Sequence, residues 1–277
     1  MLKLWFFSQL FATADYTSKT QTIYSNFLKR EVTITTLIPQ KKDKNLTNLP
    51  LLLINDGQDF EALRMLETLN MMSKSKKIQP ILVVGIHANE NRMNEYGTAS
   101  QADYAGRGNQ AKQHNDFVIQ ELLPFLEKNF KLKNNAKHRY FAGFSLGGLS
   151  AIDIVWANPS IFSKVGVFSG SLWWRQKRYE DNQKEDNDRI MHNLVKNQEH
   201  KKGLKFWFQA GTEDETSDRN NNGIIDAIDD TLDLMQELKK KLYTQKDVTY
   251  YEMKGGKHNP NTWAEAMPIF LEWIFRK

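Results

Sequence analysis

The fold class this sequence predicts is α/β, a mostly parallel central sheet with helices on both faces, and three observations predict it. Residues 51–55 (Leu51, Leu52, Leu53, Ile54, Asn55) and 81–86 (Ile81, Leu82, Val83, Val84, Gly85, Ile86) are continuous apolar runs, the pattern of strands buried on both faces. Apolar residues at helical spacing stand between and after them. Strand-like and helix-like segments then alternate to the C-terminus, as in a doubly wound sheet that takes its ligands at the carboxyl ends of the strands.

The elements follow in order. Residues 30–38 carry β-branched and apolar side chains in near alternation (Val32, Ile34, Leu37) and close at Pro39, which reads as an early strand. A polar loop over 41–48 leads to the strand 51–55, a helix over 60–72 and the strand 81–86. Phe117, Val118, Leu122, Leu123 and Leu126 place one amphipathic helix over 117–130. A short strand over 139–142 precedes a helix over 149–156. Residues 165–168, 204–209 and 248–253 are further strands, and 264–275 is a closing helix. The stretch 175–203 is almost wholly polar and charged and is expected to be a surface insertion. No repeat, linker or shift of composition interrupts the chain, so a single domain over 1–277 is expected.

Composition narrows the chemistry. Forty per cent of 277 residues are apolar and 26% charged, which suffices for a large core and excludes a disordered chain. No apolar run approaches the roughly 20 residues of a membrane helix, so no membrane partner is expected. Thirty-eight Lys and Arg against 33 Asp and Glu give +5 at pH 7, spread along the chain and not gathered into a patch, which argues against nucleic acid. There is no cysteine, which excludes a thiol nucleophile, disulfides and thiolate metal sites. The apolar stretch 4–12 follows Lys3 and precedes Ala12-Thr13-Ala14, a form seen at signal cleavage sites, but it is short and broken by Ser8 and Gln9. A retained N-terminal segment and a cytoplasmic protein are the expectation, with secretion or a periplasmic location as the alternative.

Gly143-Phe144-Ser145-Leu146-Gly147-Gly148 follows a predicted strand and precedes a predicted helix, the context of a G-x-S-x-G nucleophile elbow. The serine must sit on a strained turn with its hydroxyl above the sheet, and flanking residues without side chains let strand and helix approach. An elbow calls for an acid after a later strand and then a histidine. Of the six histidines only His192, His200 and His258 follow Ser145, and the first two lie in the charged insertion, so His258 is the candidate base. Gly211-Thr212-Glu213-Asp214-Glu215 supplies the acid: Asp214 is chosen, with Glu213 second. The amide of Leu146 and one from the loop Asn55-Asp56-Gly57-Gln58-Asp59, with Gln58 the candidate, would form the oxyanion hole.

These residues resemble the esterase branch of the α/β-hydrolases, which includes enterochelin esterases, feruloyl and acetylxylan esterases, S-formylglutathione hydrolase and mycolyltransferases. The resemblance runs from about residue 51 to the C-terminus. It rests on Asp56-Gly57-Gln58, Val84-Gly85-Ile86 with Arg92-Met93-Asn94-Glu95-Tyr96, Glu121-Leu122-Leu123-Pro124-Phe125, the Ser145 elbow, Ser169-Gly170-Ser171-Leu172-Trp173-Trp174, and the Gly-Thr-Glu-Asp and Gly-Lys-His segments ending at Asp214 and His258. It implies an α/β-hydrolase fold, the triad Ser145, Asp214 and His258, and the oxyanion donors Gln58 and Leu146. It also implies a structural ion pair between Arg92 and Glu95, and Trp173 and Trp174 as walls of an acyl or aromatic pocket.

Asp218-Arg219-Asn220-Asn221-Asn222-Gly223-Ile224-Ile225-Asp226-Ala227-Ile228-Asp229 fits a twelve-residue calcium loop, with Asp218, Asn220, Asn222, Ile224, Asp226 and Asp229 as ligands and glycine at the sixth position. Asp229 replaces the usual glutamate. A structural Ca2+ beside the acid loop is expected, while the chemistry itself requires no cofactor. The resulting reading is a serine esterase acting through an acyl-enzyme on a small or medium ester of siderophore, sugar or feruloyl type. An acyltransferase on the same triad, a non-catalytic binding module and a serine peptidase are the alternatives.

Overall fold

The computed structural model describes residues 15–40, 48–133, 135–179 and 187–275. Eight strands, β1 (Asp15–Ser25), β2 (Arg30–Gln40), β3 (Leu51–Asn55), β4 (Leu82–Ile86), β5 (Arg139–Phe144), β6 (Lys164–Phe168), β7 (Lys205–Glu213) and β8 (Val248–Lys257), form one sheet in the order β1-β2-β4-β3-β5-β6-β7-β8. β1 and β2 are an antiparallel hairpin, β2 is antiparallel to β4, and every pair from β4 to β8 is parallel. The fold is that of the α/β-hydrolases.

Alternation across the sheet sorts the core into two layers. Leu51 and Leu53 of β3 and Phe141 of β5 face one layer, and Leu52, Ile54, Tyr140, Ala142 and Phe144 face the other. The first layer is closed by residues 117–126, by α5 (Leu146–Ala157), by α6 (Ile190–Asn197) and by α7 (Asp226–Lys240). The second is closed by α1 (Met65–Lys74) and α8 (Pro260–Ile274). Gly166 of β6 lets α8 lie on the sheet, because a Cβ there would stand 2.3 Å from the Phe270 ring. The short helices α2 (Arg92–Glu95), α3 (Ala111–Asp116) and α4 (Leu123–Asn129) complete the chain.

The strand order locates the crevice. From β3 the chain moves to β4 on one side, then returns past β3 to β5 on the other. The loops leaving β3 and β5 therefore diverge, and their carboxyl ends flank the switch point where ligands of such sheets bind.

Several expectations are corrected. β1 was not expected as a strand; its outer residues are polar and exposed, so it lacks the apolar signal of a buried strand. The helix expected over 117–130 is two pieces, a wide π-type turn over Phe117–Leu122 and α4, and α3 runs into it from the N-terminal side. Pro124 has no amide to donate and its ring crowds the carbonyl one turn back, so the backbone widens there. The stretch 175–203 is not wholly a surface insertion: Ile190, Met191 and Val195 of α6 are core residues, and Arg189 is buried because it pairs with Asp230. The N-terminal residues 1–14 and most of the 41–48 loop lie outside the described residues. Among the described residues no helix is long and apolar enough to cross a membrane.

The tightest backbone contact in this frame lies where β5 meets α5. A Cβ on Gly143 would stand 2.1 Å from the Gly147 carbonyl oxygen, which is backbone and cannot rotate away. Gly143→Ala is expected to lower stability by about 2 kcal/mol or more in urea denaturation, and an unchanged midpoint would contradict this packing.

Candidate active site

Ser145 is the single residue between the last residue of β5 and the first of α5, and its backbone is forced to φ 53°, ψ −124°. A non-glycine residue there is strained. The strain is held by bonds on every side: the Ser145 amide donates to the Phe168 carbonyl (2.9 Å), and the Ser145 carbonyl accepts from Gly148, Leu149 and Ser171 (3.0, 3.2 and 3.1 Å). The turn leaves the hydroxyl partly exposed, 3.4 Å from the Ser171 hydroxyl.

The acid and the imidazole come from the next strand ends. Asp214 follows β7, and its side chain is fully buried. One carboxylate oxygen accepts from the Ser169 hydroxyl (3.1 Å) and the other from the Gly211 amide (3.0 Å). Ser169 Oγ in turn accepts from the Trp263 indole N–H of α8 (3.0 Å). His258 follows β8; its Nδ1 stands 4.0 Å from Asp214, and its ring meets the Trp263 face edge-on at 5.3 Å. Burial pushes the Asp214 carboxyl above the usual carboxylate range against the bonds from Gly211 and Ser169. Burial likewise holds His258 below the ordinary imidazole value, with Asp214 opposing and the charge of Arg92 reinforcing the shift. Glu213 is exposed and faces Lys257 at 3.8 Å.

The loop after β3 forms the opposite wall. Asp56 adopts a left-handed backbone (φ 64°) that opens a short turn over Gly57–Asp59. A Cβ on Gly57 would stand 2.4 Å from the Gly85 carbonyl carbon, so only glycine lets this loop press against β4. Gln58 is exposed, and its side-chain Oε1 accepts from the Ala88 amide (3.0 Å). Asn55 is fully buried and donates from Nδ2 to the Gly147 carbonyl (2.9 Å), tying the loop to the elbow. Its Oδ1 must then accept from His114 Nε2 (3.3 Å), so His114 is the Nε2–H tautomer. Complete burial lowers the His114 pKa to about 4 and keeps it neutral.

The ion pair expected between Arg92 and Glu95 does not form. Arg92 grips Asp56 with both arms, Nε to Oδ1 at 2.7 Å and Nη2 to Oδ2 at 2.8 Å. Glu95 is buried and pairs with Arg30 of β2, Nε to Oε1 at 2.8 Å. Each buried carboxylate has drawn its own guanidinium from a different element, a pairing that sequence proximity does not reveal.

The two tryptophans part company. Trp174 is fully buried in the core, beside Gly97 and Gly108, and is not a cavity wall. Trp173 lines a cavity of about 520 Å³ together with Tyr104, Arg175, Arg178, Tyr179, Ser217 and residues of the 218–226 loop. In that loop the Asp218 carboxylate accepts from the amides of Asn222 (3.1 Å) and Gly223 (2.9 Å). The side chains of Asn220 and Asn222 both meet Asp229 Oδ2, at 3.0 and 2.8 Å. Asp226 is engaged by Arg219 at 2.9 Å. No group of three His, Asp or Glu residues suited to a metal converges among the described residues.

The sequence assigns no role to Asn55, His114, Ser169, Ser171 or Trp263, although Asn55 stands in the oxyanion loop and Ser169 and Ser171 in a segment that carries the resemblance. Ser169 and Ser171 had one signal, two hydroxyls directly after a buried strand at the carboxyl edge of the sheet. Asn55, His114 and Trp263 had none, because their neighbours come from distant segments.

The fold is the α/β-hydrolase one, and the class of protein is an esterase. The chain belongs to the family described as "Putative esterase", whose model matches residues 25–274, and it is a carboxylic-ester hydrolase. It is 23% identical over 247 residues to the uncharacterized protein YbbA of Bacillus subtilis (strain 168), covering 88% of this chain and 92% of that protein. A shorter match, 30% identical over 98 residues, is to an endo-1,4-beta-xylanase/feruloyl esterase of Xylanibacter ruminicola, covering 35% of this chain and 12% of that protein. Among solved structures, a ferulic acid esterase superposes with TM-score 0.72 at 16% identity, covering 95% of this chain and 98% of that one. The enterobactin esterase of Shigella flexneri superposes with TM-score 0.71 at 19% identity over 96% of this chain, which spans 61% of that structure's length.

Proposed function

We propose that the protein hydrolyses carboxylic esters through an acyl-enzyme on Ser145, with His258 as general base and then general acid and Asp214 orienting the imidazole. The observation that carries this reading is the strained φ of Ser145 at the switch point, with Asp214 and His258 on the two strand ends beyond it. His258 takes the Ser145 proton as Oγ attacks the ester carbonyl, the alcohol leaves with that proton, and water attacks the acyl group by the same route. His258 Nδ1 stands 4.0 Å from Asp214 Oδ1, and the attraction between them grows as the imidazolium forms in the transition state. The amides of Leu146 and Gln58, in the first turns of their helices and so without acceptors from their own helix, receive the developing oxyanion. Trp173 forms part of the wall that holds the acyl or aromatic portion, and the names of the similar esterases favour an aromatic or siderophore-type ester.

Release of p-nitrophenol from short and medium acyl esters tests the reading. The wild type is expected to turn over and Ser145→Ala to abolish turnover, whereas activity surviving in the variant would exclude Ser145. Asp214→Asn is expected to lower kcat by about 10⁴, while Glu213→Gln leaves it within about threefold; the reverse order would assign the acid to Glu213. Because burial holds His258 below the ordinary imidazole value, the acidic limb of kcat/KM, which reports the titration of the base, is expected below that value, and a limb above it would contradict the assignment of His258.

We further propose that the 218–229 loop holds a structural Ca2+. Asp218, Asn220, Asn222 and Asp229 already face one another, and turning the two amides would present oxygens in place of nitrogens. Asp226 and the Ile224 carbonyl are the remaining ligands of the sequence pattern, and Asp226 would have to exchange Arg219 for the ion. Adding Ca2+ to chelator-treated protein is expected to raise the Tm without changing kcat of the folded fraction. An identical Tm in calcium and in chelator would refute the site, and loss of turnover by chelation at a temperature where the fold persists would refute its structural role.

A further inference from the structure

We infer that Arg92 is a positioning residue of the ester-hydrolysing site: its guanidinium holds the Asp56–Gln58 loop in register with the Ser145 elbow and shields the oxyanion position from the charge of Asp56. The inference rests on the roles proposed above for Gln58, Leu146 and His258.

The geometry is that of a clamp. Both arms of Arg92 engage Asp56 in the planar bidentate form, and Nη2 also approaches the carbonyl of Phe144, the residue before the nucleophile, at 3.5 Å. The guanidinium lies over the Tyr96 ring, 5.1 Å from its centre, and the Tyr96 hydroxyl accepts from the Asp56 amide at 3.2 Å. One side chain thus touches the oxyanion loop and the strand that delivers Ser145. Asn55 ties the same two pieces together through the Gly147 carbonyl.

The charge argument is independent of the clamp. Asp56 is buried, and a Cβ on Gly147 would stand 2.4 Å from its Oδ2. The carboxylate therefore abuts the first turn of α5, next to the Leu146 amide. An unanswered anion there would oppose an oxyanion forming on the same turn. Arg92 is the cation paired with it, and Gln58 Nε2 adds a bond at 3.2 Å.

Around His258 the charged groups are Asp214 from the end of β7, which favours the imidazolium, and Arg92 from α2, which disfavours it. Trp263 from α8 contributes no charge, and the adjacent Lys257 is turned to Glu213. Asp59, on the same loop as Asp56, has its carboxyl raised by burial and by Asp56 and lowered by Arg92. Removing Arg92 takes away a cation that disfavours the imidazolium, so the acidic limb moves to higher pH.

The test is p-nitrophenyl ester hydrolysis across about pH 5 to 8 by the wild type, Arg92→Lys, Arg92→Met and Ser145→Ala. Arg92→Met is expected to lose about ten- to hundredfold in kcat with KM within about threefold, since a displaced donor fails in the transition state. Its acidic limb is expected to rise in pH. Arg92→Lys keeps the charge but not the bidentate grip, so its limb stays with the wild type while kcat falls at least about threefold. A kcat for Arg92→Met within about twofold of wild type overturns the inference, as does a loss with an unmoved limb. If Arg92→Met does not fold, Arg92→Lys decides, and wild-type kcat in that variant overturns the inference. An inactive wild type, or an active Ser145→Ala, would instead defeat the esterase mechanism on which the inference rests.

Discussion

Everything at the carboxyl edge of this sheet depends on how closely β5, α5 and the loop after β3 approach one another. Gly143 and Gly147 meet with no room for a single methyl group, and Asp56 fills the space over Gly147. That approach holds Ser145 at a positive φ and lifts its hydroxyl above the strands. It also brings the Gly57–Asp59 turn against the first turn of α5. The strain is sustained because the Ser145 backbone is bonded to Gly148 and Leu149 of α5, to Phe168 of β6 and to Ser171 just beyond it.

So close an approach gathers buried polar groups, and the structure answers each with a partner from elsewhere in the chain. Asp56 has Arg92, Glu95 has Arg30, and Asp214 has the Ser169 hydroxyl and the Gly211 amide. Removing one partner of such a pair costs more than the pair contributes, because the other charge is left without water. The consequence for function is a site with few movable charges. Asp214 is buried and fixed by two hydrogen bonds, His114 is buried and neutral, and the His258 side chain is exposed.

Much of this was legible in the sequence, for physical reasons. A strand buried on both faces must be apolar throughout, so β3, β4, β5 and β6 announced themselves; an elbow tolerates few residue types, so Ser145 did too. Chain order then left His258 as the one suitable histidine. What was hidden depends on contacts between distant segments. Arg92 stands three residues from Glu95, yet each reaches a carboxylate or a guanidinium on another strand or loop. β1 is polar on its exposed faces and carries no strand signal apart from its pairing with β2. Arg189 and His192 read as solvated charge and are buried because Asp230 meets both, one through its carboxylate and one through its carbonyl. Trp173 and Trp174 are adjacent in sequence, and only the structure shows that one faces a cavity and the other the core.

The central claim is that Ser145 is the nucleophile and that its surroundings make it one. Reaction of the protein with a p-nitrophenyl phosphonate, followed by peptide mass mapping, tests it most directly, because a serine activated by His258 displaces nitrophenol and keeps the phosphonyl group. The account predicts one adduct per chain, on the peptide containing Ser145, formed rapidly by the wild type and not by His258→Ala. An adduct on another residue, or none from a protein that hydrolyses esters, would contradict it.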